Sequence, residues 1–288
     1  MSNSNAIWIF NERKIYASDI KKKLKEAGIA RGDIVMAHAD TRAFGKMGEI
    51  EDRKQFYSAI IDAMISAIGT NGALIVPAYT YSLCRNSVFD IRNTKPTVGA
   101  VANAAFEMYR ENSIYKLGKA IIRSNDPIFS CVGFGRKASL ILENLGNVCF
   151  GDDSVFGRLY SHNAKIMCFG FDFEFTYMHY VEKRYDIKKS LKYRYDKVFK
   201  GKVIDDYGKE SEATYIYYVR DLQYCDYDFS IIPRELARRG LLKKATLGGG
   251  EIAISSARAI YNSMFDMLEA DKYAFLSAKS RSALKPIE

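Results

Sequence analysis

The sequence predicts an α/β fold, in which a central, mostly parallel or mixed sheet is flanked by helices and a smaller antiparallel β-rich portion lies toward the C-terminal half. Two observations lead to this prediction. Up to about residue 190, short apolar runs bounded by turn residues alternate with longer segments of helical periodicity. From about 191 to 222 the pattern becomes aromatic and alternating, which is typical of antiparallel strands.

The first elements follow from local signals. A helix is expected over 19–27, because Ser18 can cap its start and Gly28 can end it. The next elements have the order of an α/β unit and are a strand over 34–37, a loop over 38–48, a helix over 52–68 and a strand over 73–77.

The remaining elements continue the alternation of strands and helices. They are a helix over 97–111, a strand over 130–133, a helix over 138–145, a strand over 166–169, a helix after residue 176, and helices over 233–239 and 255–268. Residues 279–288 are expected to be loosely held. Because no repeat or Pro-rich linker interrupts the chain, we expect one domain over 1–288 with a β-rich lobe at about 190–230.

Composition narrows the class of protein. The chain has 288 residues, of which 48% are hydrophobic and 27% charged, as in soluble globular proteins. No apolar run approaches the ~18 residues that span a membrane, so no membrane partner is expected. The five cysteines are scattered and form no CxxC pair, which indicates neither a zinc site nor a disulfide framework and fits a reducing cytoplasm. No metal is therefore expected.

The net charge of +9 is compatible with nucleic acid, a membrane surface or an anionic small substrate. The densest basic stretch is 188–202, and within it residues 191–195 alternate between apolar and basic side chains. This alternation favours a half-exposed strand over a base-stacking platform, so nucleic acid is not the expected partner.

The most informative stretch is an apolar run over 166–170, a short loop, and the pattern Thr176-x-x-His179-x-x-Glu182. The run predicts a buried strand, and Thr176 could cap a helix that follows it. Positions three apart share a helix face, so Glu182 can lie beside the His179 ring and raise its basicity. By spacing alone, an exposed histidine beside a solvated glutamate is favoured by roughly two to one.

Two other features of the sequence have a plain structural alternative. The run 248–251, Gly-Gly-Gly-Glu, is expected to precede a helix, and a tight turn is favoured over a phosphate cradle by roughly three to one. His38 ends the first predicted strand, where a backbone-satisfied histidine and a functional one are about equally supported. His162 lies in a polar loop and is expected at the surface.

Five blocks, in order, resemble the aminoglycoside 3-N-acetyltransferases, and the resemblance runs from about residue 24 to 275. The blocks are AGIxxGDIVMxH (27–38), AIGxxGxLIVPAYT (67–80), FDxxxTKPTVGA (89–100), RSxDPxxS (123–130) and TxxHxxE (176–182). The resemblance implies the antibiotic acetyltransferase fold and an N-acyltransferase that uses acetyl-CoA, or another acyl-CoA, as co-substrate.

The resemblance also implies roles for residues. His179 would be the general base and Glu182 would hold its ring, while loop amides near 41–44 or a hydroxyl would stabilise the oxyanion. The segments that would bind CoA contain His38, Asp40, Thr41, Arg42, Ala43, Phe44, Pro96, Thr97 and Val98. The acceptor wall would contain Tyr79, Tyr81, Asp126, Asp172 and Glu174.

The acceptor is predicted from the positions at which this chain differs from the drug-modifying members of the family, and from its net charge. Drug-modifying members read His-Ser-Ser where this chain has His38-Ala39-Asp40, and they carry histidines where it has Asp126 and Phe129. A basic protein would repel polycationic aminoglycosides. We therefore expect the acceptor to be the amine of a small amino sugar, namely an anionic nucleotide-linked sugar of surface polysaccharide biosynthesis. By default, we expect the protein to be a homodimer. The alternatives are an aminoglycoside 3-N-acetyltransferase that confers antibiotic resistance and, more remotely, a non-catalytic nucleic-acid-binding protein.

Overall fold

The computed structural model describes residues 5–111 and 121–284. Its strands are β1 (Trp8–Phe10), β2 (Arg13–Ile15), β3 (Ile34–Ala39), β4 (Lys46–Met47), β5 (Ala73–Pro77), β6 (Phe89–Asp90), β7 (Ile121–Arg123), β8 (Cys131–Phe134), β9 (Lys165–Phe169), β10 (Arg194–Ile204), β11 (Glu210–Arg220), β12 (Lys243–Leu247) and β13 (Gly250–Ser256). Its α-helices are α1 (Ala17–Glu26), α2 (Arg53–Ile68), α3 (Ala100–Arg110), α4 (Ala138–Leu142), α5 (Val155–Ser161), α6 (Met178–Lys189), α7 (Ile231–Arg238), α8 (Ala257–Ala270) and α9 (Ala278–Leu284).

The central sheet has seven strands in the order β12-β13-β9-β3-β5-β8-β7. Strand β3 pairs in parallel with β5 and with β9, and every pairing of this sheet outside this trio is antiparallel. The mixed sheet flanked by helices confirms the predicted fold class. The three parallel strands carry the loops that form the site described below.

Two hydrophobic cores cover the two faces of the sheet. Along β3, Ile34 and Met36 pack in one core, whereas Val35 and Ala37 pack in the other. A strand buried on both faces must be apolar at every position, which is why the run was recognisable in the sequence.

The predicted antiparallel portion is a long hairpin of β10 and β11. The strands pair from Arg194 opposite Arg220 to Ile204 opposite Glu210, and β6 adds to β10 in parallel. The turn is stabilised by Asp205, whose carboxylate accepts hydrogen bonds from the backbone of Tyr207 and Lys209. This hairpin forms a wall beside helix α6.

Several predicted helix starts need correction, among them that of α7, which begins at Ile231 and not at residue 233. Helix α1 begins at Ala17, so Ser18 lies inside its first turn instead of capping it, and the Asp19 carboxylate accepts the Tyr16 N–H at 2.9 Å. Helix α3 begins at Ala100 and not at residue 97, because the loop before it is held by a hydrogen bond from the Thr97 N–H to the Tyr79 carbonyl. Helix α8 begins at Ala257 with Ser256 as its cap, two residues after the predicted start.

The glycine run and the tail also differ from the prediction. Gly248 and Gly249 form the turn between β12 and β13, so the run joins two strands and does not precede a helix. Helix α9 includes most of the tail predicted to be loose, and Arg281 bonds Asp271 at 2.6 Å. The rest of that prediction, for 285–288, lies outside the described residues. Over the described ranges, no helix is both long and apolar enough to cross a membrane.

Candidate active site

Helix α6 follows β9 through a tight loop. Gly170 turns the chain with a φ of +91°, and its backbone N–H donates to the carbonyl of Glu251 at 2.8 Å. The predicted side-chain cap by Thr176 is absent, since α6 begins at Met178 and Thr176 contributes its carbonyl, which accepts the His179 N–H at 3.1 Å. The Thr176 side chain is thereby left to line a cavity.

The predicted contact between His179 and Glu182 is present. Nδ1 of His179 lies 2.7 Å from Oε2 of Glu182, one helical turn away on α6. The histidine side chain is 18% exposed, whereas the glutamate is completely buried. A carboxylate accepts hydrogen bonds, so this contact places the ring proton on Nδ1 and leaves Nε2 with a lone pair.

Glu182 has three further partners that sequence reasoning missed. Tyr193 donates to Oε1 at 3.1 Å, and the Tyr227 hydroxyl lies 2.9 Å from Oε1 and 3.0 Å from Oε2. Arg194 forms an ion pair with Oε2 at 3.7 Å. The interpretation of 191–195 as an alternating, half-exposed strand is therefore wrong at Tyr193 and Arg194, because both side chains are buried at consecutive positions.

The electrostatics favour a neutral ring beside an ionised carboxylate. Burial, followed by the charge of Arg194, lowers the pKa of His179 to about 4, although Glu182 opposes the shift. Burial acts to raise the pKa of Glu182, but the hydrogen bond from His179 and the charge of Arg194 outweigh it and lower that pKa. At neutral pH the imidazole is thus able to accept a proton.

A cavity of about 290 Å³ opens at the carboxyl ends of β3 and β5. Its lining includes His38, Ala39, Pro77, Tyr79, Tyr81, Val98, Gly99, Phe171 and Thr176. Two of its buried polar atoms, His38 Nε2 and Tyr79 Oη, have no hydrogen-bond partner in the structure. Burial lowers the pKa of His38 to about 4, so this ring is also neutral.

A continuous set of aromatic contacts joins His179 to this cavity. The His179 ring lies 5.7 Å from Phe150, which lies 5.0 Å from Phe129. Phe129 in turn contacts Tyr79 at 5.1 Å and Tyr81 at 5.6 Å. The dyad is therefore connected to the cavity through Phe150 and Phe129, and His179 itself is not one of the residues that line it.

A second cavity, of about 230 Å³, adjoins the first and shares Ala39, Gly99 and Val101 with it. Its other lining residues are Asp40, Thr41, Arg42, Tyr57 and Ala100. The structure thus brings the loop after β3 together with the start of α3, the two segments that the sequence resemblance implied for CoA. The amino end of α3, where free N–H groups favour an anion, borders both cavities.

Several residues of these two segments support the cavities without lining them. Thr97 donates from its backbone to the Tyr79 carbonyl at 2.9 Å, which holds the neighbouring loop in place, and Pro96 is buried. Phe44 packs in the core, 4.3 Å from Phe169 and 5.1 Å from Trp8, so its ring is closed to ligands. The exposed Ala43 borders neither cavity.

Three expected acceptor residues lie elsewhere. Asp126 is 2% exposed, and one of its oxygens accepts the N–H groups of Ile128 and Phe129, so it stabilises a turn. Asp172 and Glu174 border a separate cleft of about 350 Å³ near helix α7. Only Tyr79 and Tyr81 of the expected wall line the cavity next to the dyad.

Over residues 5–111 and 121–284, no group of three or more His, Cys, Asp or Glu side chains is arranged to hold a metal ion.

Comparison with known proteins identifies a family. Residues 36–269 match the family described as aminoglycoside 3-N-acetyltransferase. The chain is similar to aminoglycoside acetyltransferase AAC(3)-IVa, at 18% identity and a TM-score of 0.68 over 91% of each chain. It is also similar to AAC-VIa bound to sisomicin, at 21% identity and a TM-score of 0.70 over 88% of this chain and 97% of that one.

A third similar structure is the YokD protein from Bacillus subtilis, at 18% identity and a TM-score of 0.69 over 89% of this chain and 94% of that one. At these low sequence identities, the similarity to the three structures shows a shared fold and nothing further. No curated protein sequence is significantly similar to this chain.

The family match overturns one expectation. The predicted acceptor, a nucleotide-linked amino sugar of polysaccharide biosynthesis, is wrong, because the matching family is that of the aminoglycoside enzymes. The error came from applying the net charge of the whole chain to one site. Local charge can differ from the net charge, as in the cleft where Asp172, Glu174 and Glu251 lie beside Arg234 and Lys244.

Proposed function

This chain belongs to the aminoglycoside 3-N-acetyltransferase family and is an acyl-CoA-dependent N-acyltransferase, and on that premise we propose that it acetylates an amine of an aminoglycoside with His179 as general base. Similar structures hold sisomicin and a gentamicin, which makes these drugs the first acceptors to consider. The assignment of individual residues to roles is part of the same proposal.

The observation that carries the proposal is the contact between His179 Nδ1 and the buried Glu182. An amine is mostly ammonium at neutral pH and must lose a proton before it can attack a carbonyl. With Nδ1 bonded to the carboxylate, Nε2 is the atom that accepts this proton. Glu182 then stabilises the imidazolium, much as a buried carboxylate does for the base of other acyl-transfer enzymes.

The two adjoining cavities are the proposed site of the acyl donor. Tyr79 Oη and, in the tautomer protonated at Nε2, His38 are buried donors that lack a partner, and a thioester carbonyl would supply one. The amino end of α3 and the exposed side chain of Arg42, which bonds Asp40, would meet the phosphates of CoA.

Acetyl transfer proceeds directly from CoA to the amine, without a covalent enzyme intermediate. The first proton of the ammonium group passes through Nε2 of His179 to solvent and leaves a neutral amine. The amine nitrogen then forms a bond to the carbonyl carbon, a second proton of that nitrogen passes to Nε2, and the carbonyl oxygen becomes the oxyanion. When the tetrahedral species collapses, the carbon–sulfur bond breaks. The imidazolium returns its proton to the thiolate, so CoA leaves as the thiol and the ring is neutral again.

The experiment that tests the proposal is release of CoA, followed with a thiol reagent, from acetyl-CoA in the presence of sisomicin, gentamicin or apramycin. We expect turnover, and a loss on the order of 10²–10⁴ in kcat/KM for His179→Ala. His162→Ala, which alters an exposed histidine, is the matched control and should keep full activity.

Two outcomes would contradict different parts of the proposal. Binding of acetyl-CoA without turnover on any of the three drugs would refute aminoglycosides as acceptors. Turnover that survives in His179→Ala would refute the assignment of the base.

A further inference from the structure

We propose that Arg194 is a positioning residue for this site, whose buried guanidinium holds Glu182 against His179 and prevents the ring from taking up a proton before the acceptor amine supplies one. The inference rests on the proposed role of His179 as general base. It adds a residue that the resemblance to the family did not indicate.

The contacts of Arg194 place its charge beside both members of the dyad, which bond each other directly. Its side chain is 2% exposed, and Nη1 lies 3.0 Å from Nδ1 of His179 and 3.7 Å from Oε2 of Glu182. Nη1 also donates to the Tyr227 hydroxyl at 2.8 Å, and Nη2 donates to the Tyr218 carbonyl. Because Tyr227 bonds Glu182 in turn, the arginine fixes the carboxylate both directly and through the tyrosine.

Stability alone does not account for a buried arginine here. Removing a guanidinium from water is costly, and well-packed apolar residues often serve a protein's stability as well as a buried ion pair does. Arg194 also leaves its Nε buried without a partner. Burial of this charge costs free energy, and one of its N–H groups has no hydrogen-bond partner. Its contact with the dyad is therefore better explained by an effect on the charge and orientation of His179 and Glu182.

The charges around the ring come from three elements. Glu182 faces it from α6, Arg194 from the start of β10, and Arg220 acts on it from the end of β11. Tyr227 contacts the ring with a neutral side chain, and Phe150 covers it with an apolar one. Without Arg194, the buried carboxylate would be the dominant charge and would draw a proton onto the imidazole.

Such a proton would disable the site. A protonated His179 cannot accept a proton from the acceptor, and its positive charge would repel an ammonium group that approaches it. Arg194 offsets the charge of Glu182, so the carboxylate can orient the ring and still leave it neutral at rest. Proton transfer to Nε2 then becomes favourable only in the transition state, because bonding to the carbonyl carbon makes the amine acidic.

The test separates the charge of Arg194 from its geometry. Arg194→Gln removes the charge, whereas Arg194→Lys keeps it and loses the two-pronged contact with Tyr227 and Tyr218. The pKa of His179 is measured by NMR titration of its ring proton, assigned by its disappearance in His179→Ala. The same variants are assayed for the pH dependence of kcat/KM, and circular dichroism reports whether they fold.

For Arg194→Gln we expect the pKa of His179 to rise by about one unit or more, with the acidic limb of the pH profile moving by the same amount. For Arg194→Lys we expect a pKa close to that of the unmodified protein and a kcat lower by roughly tenfold or more. Arg220→Gln, which removes an exposed charge near the ring, is the matched control and should change both quantities less than Arg194→Gln does.

A folded Arg194→Gln protein with an unchanged His179 pKa would overturn the proposal. If Arg194→Gln does not fold, Arg194→Lys with full kcat would overturn it as well. The titration needs no substrate, so failure of this inference can be told apart from failure of the proposed acetyl transfer.

Discussion

The hydroxyl of Tyr227 lies 2.9 and 3.0 Å from the two carboxylate oxygens of Glu182. Together with Tyr193 and His179, it satisfies a glutamate that has no exposure to solvent. A buried carboxylate with this many donors remains ionised and keeps one orientation. The ring of His179 is therefore positioned by a group that is itself fixed.

Replacing Glu182 with glutamine tests this arrangement. Glu182→Gln keeps the shape of the side chain and removes its charge, so the imidazolium formed during catalysis loses its counter-ion. We expect kcat/KM to fall on the order of 10²–10³. The control is Glu174→Gln, at an exposed position outside the two adjoining cavities, and equal activity of the two variants would show that the buried carboxylate has no role in turnover.

The sequence predicted the parts of the site that depend on neighbouring residues. The apolar run before Gly170 indicated a buried strand, and the spacing of His179 and Glu182 puts them one helical turn apart. Both inferences use local geometry, which the order of residues determines.

The parts that depend on distant contacts were not predicted. Arg194 and Tyr227 are 33 residues apart and meet because strand β11 returns the chain to the start of β10, where Arg220 pairs with Arg194. A basic residue in an alternating stretch is normally solvated, so no local signal indicated that Arg194 is buried. Thr176 is likewise of a residue type that often caps a helix, but its side chain lines the cavity instead.

A second prediction concerns Tyr79, whose buried hydroxyl has no partner. If it is kept to bond the thioester oxygen, Tyr79→Phe should lower kcat on the order of 10²–10³. The same change should alter the free energy of unfolding by no more than about 1 kcal/mol, since the hydroxyl makes no hydrogen bond of ordinary geometry and the Thr176 side chain is the one polar neighbour that acts on it as a bonding partner. Thiol-release assays and urea denaturation measure the two effects.

Tyr215→Phe is the matched control for that experiment, because Tyr215 is also buried but does not line the cavity. It should keep its activity. A Tyr79→Phe protein that is less stable but fully active would mean that the hydroxyl serves the fold.

A third prediction follows from the two buried histidines. Burial lowers the pKa values of His38 and His179 to about 4, below their ordinary 6.5. Between these pH values the unfolded chain binds protons that the folded protein does not, so the free energy of unfolding falls as pH decreases from 6.5 to 4. Each histidine contributes a slope of about 1.4 kcal/mol per pH unit at most.

Asp126 acts in the opposite direction, because burial raises its pKa to about 6 and its folded form holds a proton that the unfolded form releases. Urea denaturation between about pH 4.5 and 7 should therefore show a shallower slope for His38→Asn and a steeper one for Asp126→Asn. His162→Asn, at an exposed position, is the control for the histidine change. A slope that His38→Asn leaves unchanged would contradict the assignment.

The last prediction concerns Gly170, at the turn that connects β9 to the dyad. A Cβ there would lie 1.9 Å from the Asp40 carbonyl and 2.7 Å from the Phe44 ring, and the φ of +91° is unfavourable for any other residue. Gly208 is the matched control, because its φ is +81° but no heavy atom lies within 4 Å of an added Cβ, and it lines neither of the two adjoining cavities. Gly170→Ala should lower the free energy of unfolding by about 2–4 kcal/mol, and Gly208→Ala by about 1 kcal/mol. Since Asp40 borders the second cavity, Gly170→Ala should also weaken acetyl-CoA binding in calorimetry; equal losses of stability in the two variants would show that the loop yields to the extra methyl group.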